Sequence, residues 1–331
     1  MPPMTVIRPV READAPALHA LAEALDTVNL PADPAAIAEI IARSRAGFAG
    51  DGRGRDQYTL VAEREGRLLG TASLFARHGT PDDPHYALAV EQRTVVSQQL
   101  HAGRERRILR LTMDTEPWTE LGGLVVAPAA RGGGIGKLLV GARLLLARMH
   151  PERFCPRLIA ELLPPRDADG GNAFWEAVGR PLTGLDYRRA DRLCRSGKEF
   201  IDAWFPHQEL VVDLLPAAAQ ALIGVEGPAT APVRALLRRA GFRFLGTVDP
   251  FDAGPHDGAA VADIAPIARS RRLVRLDHPP EGTPADQLIA TPDHRFALVP
   301  VGIHGDGARI PHELALGLRP GDPVWAMPWD W

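Results

Sequence analysis

The chain has 331 residues, of which 45% are hydrophobic and 24% charged, an ordinary globular composition with enough apolar material for a real core. Its formal net charge of -3 gives no basis for a nucleic-acid or anionic-membrane partner. Only two cysteines occur, Cys155 and Cys194, too few for a disulfide scaffold or a cysteine-rich zinc site and in keeping with a reducing, cytoplasmic setting.

The opening MPPMTVIRPVREAD turns charged too early for a secretory signal. Nowhere does the chain approach eighteen consecutive apolar residues, so no membrane span is expected. Residues 5–10 read as a short strand. A helix follows, with Leu18, Leu21, Ala22 and Leu25 on one face. Asp33 is a natural N-cap for a second helix that starts at Pro34 and buries Ile37, Ile40 and Ile41. Residues 57–75 contain two β-rich runs around a polar turn at Glu65–Gly66, a hairpin. Weaker strand signals fall at 94–97 and 107–113. Residues 120–128 form a β run, followed by a glycine-rich loop and the best-defined amphipathic helix of the chain, with Ile135, Leu138, Leu139, Ala142, Leu145, Leu146 and Met149 at helical spacing. A strand at 158–162 and a helix at 172–179 follow.

The second half is less regular. It offers a strand at 210–214, a helix at 231–240 stopped by Gly241, a strand at 242–248, and short β runs at 272–276, 287–290, 296–301 and 324–327. The expected fold is α/β, a mixed sheet with flanking helices, followed by a β-rich C-terminal lobe. The expected division is 1–190 and 191–331.

The chemistry concentrates in LGGLVVAPAARGGGIGKLLVGARLLLAR, residues 121–148. A helix start leaves backbone N–H groups unpaired, and its dipole favours negative charge. Gly132, Gly133, Gly134 and Gly136 let a bulky anion approach that backbone. Arg131 and Lys137 would add positive charge at the two ends, so a pyrophosphate is the natural occupant. A P-loop is excluded, because Arg131 stands where its first glycine belongs and Leu138 where its hydroxyl residue belongs. The spacing of GGGIG is also wrong for a dinucleotide fingerprint.

What remains, Arg131, Gly134 and Gly136 after an apolar strand, resembles the acyl-CoA loop of GNAT N-acyltransferases. The segments IRPVREADAPALHALAEAL and LVAEREGRLLGTASL resemble the first strand, first helix and next hairpin of that superfamily. NAFWEAVG resembles its helix after the fifth strand, and APVRALLRRAGFRFLGTV resembles the same helix and strand again, either a degenerate repeat or the sign of an insertion. ELGGLVVAPAARGGGIGKLL, FWEAVGRPLTGLDYRRAD and LLPAAAQALIGVEGPATAPVRALLRRAGFRFLGTVDPFDAGP are similar to the arginine N-succinyltransferase family over most of residues 5–255. That resemblance implies succinyl transfer from succinyl-CoA, or transfer from another acyl-CoA, to the α-amine of arginine or ornithine. It also implies a homo- or hetero-oligomer, since some family enzymes combine two related chains. Three stretches depart from the family pattern. Gly227 stands where the family has a proton-donating histidine. Met113-Asp114-Thr115-Glu116-Pro117 replaces an Asn-Asp-x-Thr-Gly run, and Leu163 replaces an arginine.

Within this frame the acyl-CoA site is expected at Leu124, Val126, Arg131, Gly132, Gly133, Gly134, Ile135, Gly136 and Lys137, with Leu124 and Val126 supplying backbone groups to the pantetheine. Amide formation needs a base for the ammonium and a proton for the departing thiolate. Glu120 or Glu161 is the expected base, and Tyr187 the acid in place of the lost histidine. Asp186 and Asp252 are expected to hold a cationic acceptor. His85, His256 and His304 lack metal-ligand spacing in the sequence, so no metal site is expected. Trp325, Trp329 and Trp331 are expected to be apolar anchors. Two other readings are an acyltransferase for a different amine or acyl group and a weakly catalytic CoA-binding subunit.

Overall fold

The computed structural model describes residues 3–25, 30–50, 56–167, 169–194, 197–277 and 284–331. The N-terminal strand β1 (Val6–Pro9) leads into α1 (Ala15–Leu25) and α2 (Pro34–Ala49). Asp33 caps α2 by accepting from the Ala35 N–H, with Pro34 at the first helical position. Strands β2 (Gln57–Arg64) and β3 (Arg67–His78) form the expected hairpin. Its two turn residues, Glu65 and Gly66, have φ of 50° and 74°, the left-handed pair of a tight hairpin turn.

The weak signals at 94–97 and 107–113 are the ends of a longer hairpin, β4 (His85–Ser97) and β5 (Ala102–Asp114). Its tip is exposed on both faces, so the sequence there carries no buried alternation to read. Next come β6 (Trp118–Val126), the glycine loop, α3 (Ile135–Met149) and β7 (Arg157–Glu161). Five short helices follow: α4 (Ala173–Ala177), α5 (Gly179–Thr183), α6 (Tyr187–Cys194), α7 (Glu199–Trp204) and α8 (Ala217–Gln220). A two-residue strand, β8 (Leu210–Val211), lies between the last two and replaces the longer run expected at 210–214. Then α9 (Ala231–Ala240), β9 (Arg243–Val248) and β10 (Pro255–Ala260) return to the sheet.

The order β1-β2-β3-β6-β7-β10-β9-β4-β5-β8 settles the question of repeat or insertion. Strand β10 pairs directly with β7, and Leu237 and Ala240 of α9 lie in the same apolar core as α3. The helix containing Phe174 and Trp175 belongs instead to a separate cluster with Tyr86, Leu109, Tyr187 and Phe251. Residues 162–230 are therefore an insertion between β7 and α9 that joins the sheet, among the described residues, only through the two-residue β8 beside β5, and NAFWEAVG sits inside it.

After α10 (Ala265–Ala268), strands β11 (Arg271–Arg275), β12 (Ala285–Ala290), β13 (Phe296–His304), β14 (Gly307–Arg309) and β15 (Pro323–Pro328) pair in the cycle β12-β15-β11-β14-β13-β12. This is a closed barrel with its own core of Leu273, Ile289, Val299 and Val324, and closure removes the exposed edges. It is the strand-rich C-terminal region expected from the sequence. Helix α3 packs between the main sheet and this barrel. A β-carbon at Gly141 would meet Leu288, Trp329 and Met327 at 3.0–3.3 Å.

Candidate active site

Strands β6 and β7 are parallel neighbours for only two residue pairs, Thr119 with Leu158 and Glu120 with Ile159. Beyond Glu120 they part. On its other side β6 bulges against β3, the register slipping between Thr71 and Ser73, with Gly123 at φ 59°. Gly122 is also forced, because a β-carbon there would meet Phe75 at 2.7 Å and Glu120 Oε1 at 2.8 Å. The bulge is pinned from beneath by Arg143 of α3. This arginine is fully buried and donates to the carbonyls of Ser73 (3.3 Å) and Gly122 (3.2 Å). Burial lowers its guanidinium to about 10, and the charge of Glu120 works against that shift.

The parting strands open two connected spaces. The outer one is a groove of about 580 Å³ lined by Leu124, Val126, Arg131, Gly132, Gly134, Ile135, Gly136, Arg166, Gly227 and Thr230, among others. Gly134 is the N-cap of α3 at φ 78°, and Gly132 has φ 77°. Nothing lies within 4 Å of a β-carbon built at Gly132, Gly134 or Gly136. Gly133 would touch only the Ala130 carbonyl, at 3.4 Å. The start of a fifteen-residue helix thus faces open space, an anion-binding geometry. Arg131 is exposed at the rim and donates to the Val126 carbonyl at 3.3 Å.

Lys137 corrects an expectation. Its ammonium turns away to the Trp329 carbonyl at 2.7 Å and sits over the rings of Trp329 and Trp331 at 4.3 and 4.8 Å. The C-terminal indoles offer it a better site than the loop does. Burial lowers its pKa.

The inner space, about 190 Å³, has a charged floor that includes Glu120, Glu161, Asp249 and Asp252. His78 closes β3, and His85 opens β4 after a turn through Gly79 at φ 82°. The imidazole of His78 stands between the two glutamates, Nδ1 at 3.5 Å from Glu120 and Nε2 at 3.1 Å from Glu161. His85 Nε2 lies 3.0 Å from the same Glu161 oxygen. His256 is placed opposite Glu161 by the β7–β10 ladder. Lys198, from the insertion, lies 4.0 Å from both Glu161 and Asp249.

The carboxylates diverge electrostatically. Burial raises Glu120; the histidine beside it pulls the other way, and the charge of Glu161 reinforces the rise. Glu161 is also buried, yet Lys198 and the two histidines hold it well below the usual carboxylate range. Asp252 is pushed well up by burial and by Asp249, even though it accepts from the Gly254 N–H at 2.8 Å.

The structure thus gathers Glu120, Glu161, Asp252 and the loop along one cleft. It does not bring Asp186 there. That residue is exposed and caps α6, accepting from the Arg189 N–H at 2.8 Å. Tyr187 is likewise absent from the lining. Its ring packs on Phe251 at 4.6 Å inside the second apolar cluster, and burial raises its hydroxyl pKa. Sequence reasoning missed His78, Lys198, Asp249, Arg143 and Arg166. The only signal for the histidines was their closeness, His78 and His85 flanking a Gly/Pro/Asp turn.

The comparisons with known proteins agree with this fold. The family model described as arginine N-succinyltransferase beta subunit matches residues 5–266. The arginine N-succinyltransferase subunit beta of Pseudomonas aeruginosa is 34% identical over 286 residues, 85% of this chain and 83% of that protein. The arginine N-succinyltransferase of Salmonella paratyphi B is 33% identical over 288 residues, 85% of this chain and 82% of that protein. Among solved structures, the arginine/ornithine succinyltransferase subunit AI from Pseudomonas aeruginosa superposes with a TM-score of 0.83 at 28% identity, covering 98% of both chains. By sequence and by fold, the chain belongs to the arginine N-succinyltransferase family.

Proposed function

We propose that this chain transfers the succinyl group of succinyl-CoA to the α-amine of a cationic amino acid, arginine or ornithine. The observation that carries the reading is the parting of β6 and β7 beyond Glu120, directly beside the open glycine start of α3. Pyrophosphate at the amides of residues 132–136 sends the pantetheine along the unpaired edge of β6, past Leu124 and Val126. The thioester then arrives at the charged floor. Glu120, its pKa raised by burial, is suited to take a proton from the acceptor ammonium. The freed amine attacks the carbonyl carbon, the C–N bond forms, the C–S bond breaks, and the second proton of the attacking nitrogen passes through water in the cleft to the departing thiolate. Asp249 supplies negative charge for a cationic acceptor, and Asp252, favoured in its neutral form by burial, supplies a hydrogen-bonding carboxyl beside it. Arg166, which lines the groove with one buried Nη2 that has no partner among the described residues, suits the distal carboxylate of a succinyl group.

The experiment is thiol release from succinyl-CoA and acetyl-CoA across a panel of amines, on the wild type and on Arg166→Gln. Turnover with succinyl-CoA and arginine or ornithine is expected, with the variant losing about 10–100-fold on succinyl-CoA and little on acetyl-CoA. Turnover confined to uncharged amines would sink the acceptor assignment. A second reading, a CoA-binding chain that needs a related catalytic chain, is favoured by Gly227, which offers no side chain where the family pattern has a histidine. It predicts CoA binding without turnover until the second chain is added.

A further inference from the structure

Among the described residues, four buried polar side-chain atoms at and behind the cleft floor lack a hydrogen-bond partner: His78 Nε2, His85 Nε2, His256 Nε2 and Glu161 Oε1. Buried polar atoms are rarely left so, and a carboxylate oxygen with three imidazole nitrogens around it needs a cause. Glu161 Oε1 lies 3.1 Å from His78 Nε2 and 3.0 Å from His85 Nε2, close enough to hydrogen bond, yet the directions are wrong for it. An imidazole that hydrogen-bonds a carboxylate points its N–H at the oxygen. Imidazoles that share an ion with it point beside the oxygen, at a common centre. Two donors each about 2.0–2.2 Å from one ion stand about 3 Å apart when their bonds are near a right angle. That is the spacing here, and all three ligand atoms lie within 4.8 Å of one another.

We propose that His78, His85 and Glu161 bind one divalent transition ion of the zinc class. The surroundings fit. The other nitrogen of His78 faces Glu120 at 3.5 Å, the carboxylate-behind-imidazole arrangement that orients a ligating histidine. His256 forms a second set with Glu161 and Asp249 that shares the same carboxylate. Its Nδ1 lies 3.2 Å from the Thr247 hydroxyl, which can accept from an Nδ1–H and leave the Nε2 lone pair free. Four carboxylates, Glu120, Glu161, Asp249 and Asp252, line this space. Lys198 meets two of them at 4.0 Å, so negative charge remains for a dication to balance. Two imidazoles in the set select a zinc-like ion over magnesium or calcium.

The test is metal-stripped protein titrated with Co²⁺, followed by visible absorption, and with Zn²⁺, followed by calorimetry. One equivalent per chain with tetrahedral or five-coordinate cobalt bands is expected. His85→Ala and Glu161→Gln should abolish tight binding, and Glu120→Gln should weaken it about 10–100-fold. Unchanged CoA affinity in each variant reports an intact cleft. The pair His150–His294, Nε2 to Nε2 at 2.8 Å, is the competing metal-binding surface, so His294→Asn serves as the control and should bind zinc as the wild type does. Failure of the wild type to bind, or binding that survives His85→Ala and Glu161→Gln but is lost in His294→Asn, overturns the proposal.

Discussion

At the scale of single residues, glycines decide what the cleft can admit. Gly134 and Gly136 both face open space, but Gly134 has φ 78°, so a valine there combines blocked approach with backbone strain. Gly136 lies inside α3 with no left-handed φ, which makes it the cleaner probe. Gly136→Val should hold or slightly raise Tm, because glycine is the poorer helix former. It should weaken CoA binding about tenfold or more, ~1.4 kcal/mol. Calorimetry with CoA checks this, and unchanged affinity would remove the pyrophosphate from this loop. Gly227 gives the opposite lesson. Restoring the family histidine there looks from sequence like a gain of an acid. In the fold a β-carbon at Gly227 would come 2.8 Å from the Pro164 carbonyl oxygen and 3.0 Å from its carbon. That contact is with backbone, so Gly227→His should lower Tm and fail to raise succinyl transfer. A stable variant with a faster rate would show that the 164–165 segment yields.

At the scale of elements, the legible parts were those with local periodicity. Helix α3, the β2–β3 hairpin and the Asp33 cap could be read because each is specified by neighbours in sequence. The glycine loop was legible for the same reason. What escaped depends on distant pairing. Strand β10, with the sequence PHDGAA, has no β-branched run and is a strand only because β7 and β9 hold it on both sides. Its His256 reaches Glu161 through that ladder, and His78 and His85 through the β3–β4 turn, so no spacing rule reveals them. Arg143 was hidden by its setting in an apolar helix, where an arginine reads as a solvent-facing residue. Instead it holds the β6 bulge open through two carbonyls. Arg143→Met should leave those carbonyls unsatisfied and cost about 1–3 kcal/mol in urea unfolding. The same variant should weaken acyl-CoA binding, because the splay of β6 depends on the bulge. Full stability with full affinity would mean the bulge is set by Gly122 and Gly123 alone.

At the scale of the whole molecule, the C-terminal barrel braces the helix that carries the candidate CoA loop. The indoles of Trp329 and Trp331 hold Lys137, and Leu288 and Met327 press on Gly141. The three C-terminal tryptophans thus anchor barrel to core, as their position in the sequence suggested. At the far end of α3 the same contact is polar. His294, in the β12–β13 turn, lies 2.8 Å from His150 through their Nε2 atoms and packs on Phe48. One shared proton serves this pair, and two do not fit. Burial, then His150 and Arg153, lower His294 to about 4, and His150 is lowered as well. A histidine whose folded pKa is depressed contributes stability that is fully present above its unfolded pKa, about 6.5. The contribution is lost as pH falls through the window from there to about 4, because the unfolded chain binds the proton first. The site is partly open to solvent, so screening limits the loss to about 1–2 kcal/mol. Asparagine tolerates the φ of 61° at this position and carries no titrating charge. Thermal melts from pH 7 to pH 4 should therefore show the wild type losing more stability on acidification than His294→Asn. Parallel pH profiles would mean that the acid sensitivity of the barrel contact arises elsewhere.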